Sequence, residues 1–262
     1  CIQGFYLRQH SKISGSHTFF CSLMGERSGT GKRPKIYLAP NSPGFNNPNK
    51  PKYAIHFWTR DQQDINADAP EWALNQKFVN IDIEIGEGNS GAIGIRLRGA
   101  EGSGIMDSTI DATHGLIGVS GGAGSGGSHA NITIIGGKIG MDLRETQPAP
   151  VLVGVTLINQ SETALLYGGR QSLCAVGIKI TTKTKGTVIK VKPEWDVFFQ
   201  GPISLIDSEI TFEKNYKDSI CISTNRSTYL NNVYIKGVAK IITNPDGTEM
   251  SGNLNGWIRV KE

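Results

Sequence analysis

The sequence predicts an all-β chain wound as a right-handed parallel β-helix, a solenoid of about seven or more coils. Three observations predict it. A short phrase, a polar or Asn/Asp residue followed by alternating aliphatics and a turn, recurs from Phe78 onward: FVNIDIEI (78–85), IMDSTIDA (105–112), ANITIIGG (130–137), VLVGVTLI (151–158), CAVGIKIT (174–181), IDSEITFE (206–213) and NNVYIKGV (231–238). Its equivalent inward residues, Ile83, Ile110, Ile134, Leu157, Ile180, Ile210 and Ile235, lie 27, 24, 23, 23, 30 and 25 residues apart. Glycine contributes 33 of the 262 residues, against a typical usage of roughly 7%, so turns are many and long helices few. A leucine-rich repeat has a similar period but needs an LxxLxL pattern with Asn, and an α-solenoid needs 3.6-residue periodicity. Alternation at period 2, β-branched residues and turn glycines give instead two or three short strands per coil, stacked in parallel.

Taken in order, the first 77 residues are the least regular, and they read as irregular first coils and an N-terminal cap. Gly4–Ile13 (GFYLRQHSKI) has strand sequence. Lys35–Pro40 (KIYLAP) and Tyr53–Trp58 (YAIHFW) do too, separated by the loop 41–51, where Pro and Asn set turns rather than ladders. Asp61–Asn75 fits a short helix over one end. Residues 78–262 then carry the regular coils, and the two segments make one domain. Within each coil a second strand follows the first: AIGIRL (92–97), LIGVS (116–120), KIGMDL (138–143), TALLYG (163–168), TVIKVK (187–192), SICIS (219–223) and AKIIT (239–243). The expected core is a column of Ile, Val and Leu in which each coil covers the next. The chain opens on Cys1 and strand-like sequence, without a charged leader or an apolar signal core, which predicts that a signal peptide and a capping segment precede it in a longer protein. The end at 256–262 (GWIRVKE) suggests the same for the other side.

Lys and Arg number 27 against 23 Asp and Glu, a formal charge of +4. That mild surplus is compatible with an anionic partner. No basic run interleaved with aromatics tracks a phosphate backbone, so nucleic acid is not an expected partner. Cys1, Cys21, Cys174 and Cys221 have no CxxC spacing and no nearby histidine pair, so neither a metal site nor a cofactor is expected. No stretch approaches the roughly 18 apolar residues of a membrane helix, and no membrane partner is expected.

The runs GNSGAIGIRLRGAEGSGIMDSTIDATHGLIGV (88–119) and APVLVGVTLINQSETALLYGGRQSLCAVGIKI (149–180) resemble bacterial β-helix proteins of the pectate-lyase superfamily. They are closest in flavour to the branch that includes exo-β-1,3-glucanases built from two β-helical halves. The segment RPKIYLAPNSPGF (33–45) is similar to the first coils of those proteins. The resemblance covers most of the chain. It implies a secreted or periplasmic protein that binds carbohydrate along the side of the helix; no family catalytic motif matches particular positions here.

Alternation assigns residues to faces. With Ile81, Ile83 and Ile85 inward, Asn80, Asp82 and Glu84 point out, and by register so do Asp107, Thr109 and Asp111 in the next coil. Glu84 and Asp111 are then rung neighbours at about 4.8 Å, close to the roughly 5 Å carboxyl separation of a retaining glycosidase. The alternative is a solvated polar face on which acidic residues stack. Asn80, Asp107, Asn131, Asp207 and Asn232 form a second column, which turn-capping by Asx side chains accounts for. On the second strand, Ile93, Ile95 and Leu97 inward put Arg96 and Arg98 outward, with Asp142 and Arg144 two coils on and Tyr167 and Arg170 after them. This set has the ingredients of eliminative cleavage of a uronic-acid polymer: Arg neutralises the carboxylate, a base removes the C5 proton and Tyr protonates the leaving oxygen. A salt-bridge ladder of these arginines with Asp142 and Glu145 is the structural alternative. His114 and His129 flank the glycine-rich run 118–128, which reads either as a sugar-approach loop or as a flexible turn. His56 beside Trp58 suggests a stacking platform or a packed aromatic end.

The expected function is cleavage of glycosidic bonds in a polysaccharide substrate by a lyase or a hydrolase. The candidate catalytic residues are Glu84, Asp111, Tyr167 and Arg170, and the candidate binding residues Arg96, Arg98, Asp142, Arg144, His114 and His129. The rival expectation is a non-catalytic carbohydrate-binding or structural module of an adhesin, tailspike or larger enzyme.

Overall fold

The computed structural model describes residues 21–59, 64, 67, 69–70, 73–145, 150–191, 201–214 and 216–244, and the backbone of 249–251 and 256–259. These residues form two sheets and no α-helix. One sheet has nine strands: Lys52–Phe57, Ala92–Arg98, Ile117–Gly122, Ile139–Leu143, Thr163–Tyr167, Thr187–Val191, Ile220–Ser223 and Lys240–Thr243 stack in that order in parallel, and Glu249–Ser251 closes the row antiparallel. The other sheet has thirteen strands and holds the seven repeated phrases, all parallel except Gly256–Arg259, which runs antiparallel to Thr228–Lys236. The fold is a parallel β-helix.

The inward column forms as the period requires. Ile83, Ile110, Ile134, Leu157, Ile180, Ile210 and Ile235 are successive rung partners, each at most 1% exposed. Ile36 extends the column by one rung, pairing with Ile83. A second inward column runs Leu23, Phe78, Ile105, His129, Leu152, Ala175, Leu205 and Leu230. Burying each large aliphatic contributes about 1.5–3 kcal/mol, and since each coil touches only its neighbours the total accumulates along the axis.

The two inward columns of the thirteen-stranded sheet are joined by a hinge. Asn80, Asp107, Asn131, Asp207 and Asn232 all have φ between 50° and 59°, and Gly154 and Gly177, at 60° and 65°, fill the two intervening rungs. One residue in the left-handed region bends each coil without adding length, and Asn, Asp and Gly are the residues that tolerate it. The Asx members also bond along the axis: Asn131 Nδ2 donates to Asp107 Oδ1 at 2.6 Å and Asn232 Nδ2 to Asp207 Oδ1 at 2.7 Å. This column is structural.

The strands expected near 35–40 and 53–58 form, and with a third they stack on the coils that follow: Ser22–Met24, Lys35–Leu38 and Lys52–Phe57 pair in parallel with Lys77–Val79, Asp82–Ile85 and Ala92–Arg98. The strand expected at Gly4–Ile13 lies outside the described residues, as does most of Asp61–Asn75. One expectation is corrected, the alternation in the nine-stranded sheet. There two consecutive residues turn inward in each coil, Ala164 with Leu165, Val188 with Ile189 and Cys221 with Ile222, all in the core. In the three preceding coils the first of these positions is glycine, Gly94, Gly118 and Gly140, because the opposite column leaves no room: a Cβ on Gly118 would lie 2.3 Å from Ile134 Cγ2. The chain turns a corner there, so Gly94 and Ile95 face inward, and Ile93, although buried, is not part of the central cluster.

Candidate functional site

Two outer faces carry the charged residues that the alternation put outward. On the thirteen-stranded sheet, Glu84 and Asp111 are rung partners, as expected. Each has its own contact. Lys35 Nζ pairs with Glu84 Oε2 at 2.6 Å, a contact that raises the Lys35 ammonium above its ordinary value. Asp111 Oδ1 accepts from the backbone N–H and the hydroxyl of Thr113, at 3.0 and 2.6 Å. Beside them Arg33 Nε bonds Asp82 Oδ1 at 2.8 Å, and the same oxygen accepts the Thr109 N–H at 2.7 Å. All of these groups sit half-exposed or exposed on the surface.

On the nine-stranded sheet one outward column runs His56, Arg96, Ser120, Asp142, Leu166 and Lys190. Trp58 and Arg144 occupy the position two residues further along their coils, as does Arg98. Here the charges are covered. The Arg96 side chain is only 13% exposed; it donates to Ser120 Oγ at 3.0 Å and pairs with Glu145, which Arg98 Nε also approaches at 3.7 Å. Asp142, with 9% of its side chain exposed, is gripped by Arg144 through Nε and Nη2 at 2.9 and 2.7 Å. The His56 ring stands between Tyr53 and Trp58, with centroids 4.6 and 6.5 Å away. Desolvation and then the charge of Arg96 lower its pKa. Trp58 is 49% exposed.

The remaining candidates do not join this face. Tyr167 continues the inward column of Leu143 and is fully buried. Its hydroxyl donates to the backbone carbonyl of Gln171, and Arg226 stacks on its ring at 5.0 Å. Burial raises its pKa, with Arg226 pulling the other way. Tyr167 and the Arg96–Arg98 pair therefore lie on opposite sides of one sheet, and the elimination set is not assembled around a common point. Arg170 is exposed, just past the strand. His114 lies on an exposed turn, whereas His129 is inside the helix, with the backbone N–H groups of Ile105 and Ala123 directed at Nδ1 and Nε2, 3.3 and 3.2 Å away. Burial pushes it down to about 4, and a ring flanked by two backbone donors gains no acceptor for a second proton. The glycine-rich run between the histidines is packed over 118–124, where a Cβ on Gly121 would lie 2.2 Å from the Leu97 carbonyl oxygen, and turns at an open tip around Gly126.

Sequence reasoning missed a cleft of about 950 Å³ at the corner where the thirteen-stranded sheet passes into the other one, lined by Lys183, Lys185, Lys190, Glu162 and Tyr216 among others. The available signal was the longer connection from Ile210 to Ile222 than from Ile180 to Ile189 or Leu157 to Leu165, which the inward-residue spacing of the first strand alone does not separate out. Among the described residues no group of three or more His, Cys, Asp or Glu is placed to hold a metal ion, and no helix is long and apolar enough to cross a membrane.

With this geometry in place, the class of protein is a parallel β-helix with one ion-paired face and one aromatic and arginine-lined face. Compared with known families and with curated proteins, the chain matches no family model and no curated sequence.

Proposed function

We propose that this chain is a carbohydrate-active β-helix of the pectate-lyase type, secreted or periplasmic, that holds a polysaccharide along the outer face of the nine-stranded sheet. The observation that carries the reading is a pair of adjacent outward columns, one with His56, Arg96 and Asp142 and the other with Trp58, Arg98 and Arg144. An exposed indole offers a stacking surface for a sugar ring, and planar guanidinium groups suit carboxylates. Successive rungs about 4.8 Å apart repeat these contacts along an extended chain. Rigid strands position them with little ordering left to do on binding. The face favours binding over elimination, because each of its carboxylates is engaged by arginine and Tyr167 lies behind the sheet.

A second reading, hydrolysis, rests on one observation: Glu84 and Asp111 are adjacent rungs on the other sheet, a spacing compatible with the roughly 5–5.5 Å of a retaining pair. One experiment addresses both. Polygalacturonate and a neutral β-glucan are titrated against the protein, and the mixtures are followed for unsaturated product and for reducing ends. Binding of polygalacturonate that falls at least tenfold in Arg96→Gln/Arg98→Gln supports the first reading. Reducing ends released from either polymer and abolished in Glu84→Gln support the second. Absence of binding to both polymers overturns the proposal.

A further inference from the structure

We propose that the corner cleft beside Lys183 and Lys185 is a separate binding site for an acidic oligosaccharide, a ligand that presents both carboxylates and hydroxyls. Two turns, 159–162 and 183–186, form the floor, and the longer turn 213–219 brings in Tyr216 as a wall. Lys183, Lys185 and Lys190 face one acid, Glu162, across the lining, and that acid is already paired with Lys138 at 3.2 Å. Lys183 reaches Glu213 at 3.2 Å, with both side chains largely in water, so the pair contributes little and can open to a ligand. Lys185 Nζ lies 5.4 Å from the centre of the Tyr216 ring, which puts a cation and an aromatic face at one point of the cleft.

The floor is held rigid from below. Gln160 is 2% exposed, and its Nε2 donates to the carbonyls of Ile134, Gly136 and Ile158 at 3.0–3.1 Å, which fixes the orientation of the amide. Its Oε1 and Asn159 Oδ1 are sealed within the floor, so recognition falls to the lysines and Tyr216. An inorganic polyphosphate suits the lysines and offers nothing to the aromatic ring. A uronic-acid oligomer brings carboxylates for the lysines and a sugar-ring face for Tyr216. The site is independent of the reading proposed for the sheet face, although Lys190 borders both.

The test is calorimetric titration of trigalacturonate into the Arg96→Gln/Arg98→Gln protein, in which sheet-face binding is removed, with maltotriose and inorganic phosphate as comparison probes. Trigalacturonate is expected to bind this background. Adding Lys183→Gln/Lys185→Gln should weaken it at least tenfold, and adding Tyr216→Ala should weaken it several-fold, with unchanged thermal midpoints because both lysines are exposed. Maltotriose should bind far more weakly, and phosphate should compete poorly. No trigalacturonate binding in the arginine-free background overturns the site, as does binding indifferent to Lys183→Gln/Lys185→Gln. Competition by phosphate as strong as by trigalacturonate overturns the saccharide assignment. The sheet-face reading fails separately, if wild type and the arginine-free background bind trigalacturonate alike.

Discussion

The helix bends at two kinds of corner, and they are built differently. At the hinge inside the thirteen-stranded sheet, every coil from Asn80 to Asn232 uses one residue in the left-handed region, so successive rungs superimpose and the surface is closed. At the passage into the nine-stranded sheet the turn changes from 136–138 to 159–162, 183–186 and 213–219, and the mismatch between neighbours opens a cleft. A repeat copied identically leaves no recess. A binding site needs coils that differ.

The packed wall is most sensitive at the inward glycine that follows the corner. Gly118→Val would place carbon 2.3 Å from Ile134 Cγ2 and 2.8 Å from the Gly140 carbonyl; we expect a loss of about 3 kcal/mol or more, read as a lower urea midpoint, or a failure to fold. Gly186→Ala, out in the variable turn and with nothing nearer than 3.4 Å, should change stability by less than about 0.5 kcal/mol. If the two substitutions cost the same, the distinction between a packed helix wall and a permissive turn is wrong.

Next in size is a pH effect tied to the hinge coil. His129 is buried neutral, with its folded value lowered to about 4, below the roughly 6.5 of an unfolded histidine. Its neutral form is favoured in the folded state, so this contribution is fully present above pH 6.5 and is lost as pH falls from 6.5 to 4. The loss should reach about 3 kcal/mol. Chemical denaturation across that window should show the slope in the wild type and a shallower one in His129→Leu; equal slopes would assign the acid sensitivity to other groups.

At the hinge itself, Asn131→Ile places a β-branched side chain at a φ of 52° and removes the 2.6 Å bond to Asp107. About 2 kcal/mol should be lost, and Asn131→Gly, which tolerates the φ, should recover roughly half of it. The smallest effect belongs to the cleft. Lys185→Gln removes an exposed cation over a ring and should move stability by no more than about 0.5 kcal/mol, while acting on ligand affinity. A large stability loss there would mean that the cleft corner is as structural as the hinge.

The sequence by itself determined the inward column from Ile83 to Ile235 and the Asx column at the hinge, because both are local. Side chains alternate at period 2 within a strand, and a left-handed φ selects Asn, Asp or Gly wherever it occurs. The rung contact between Glu84 and Asp111 followed from the same register. Which way the rest faces depends on how the coils stack. Alternation fails where two consecutive residues turn inward at a corner, so counting along the second strand misjudged Ile93. Beyond that strand it placed Tyr167 with the arginines, from which the sheet separates it. His129 read as a loop-flanking residue because its glycine-rich neighbours suggest a turn; the turn is there at Gly126, but Gly118, Gly121 and Gly127 lack a Cβ because the chain packs closely at them. The pairing of Arg96 with Glu145 and the cleft between unequal turns arise from contacts between coils. Their partners lie 24 or more residues apart in the chain, a separation at which only the stacking of one coil on the next brings side chains together.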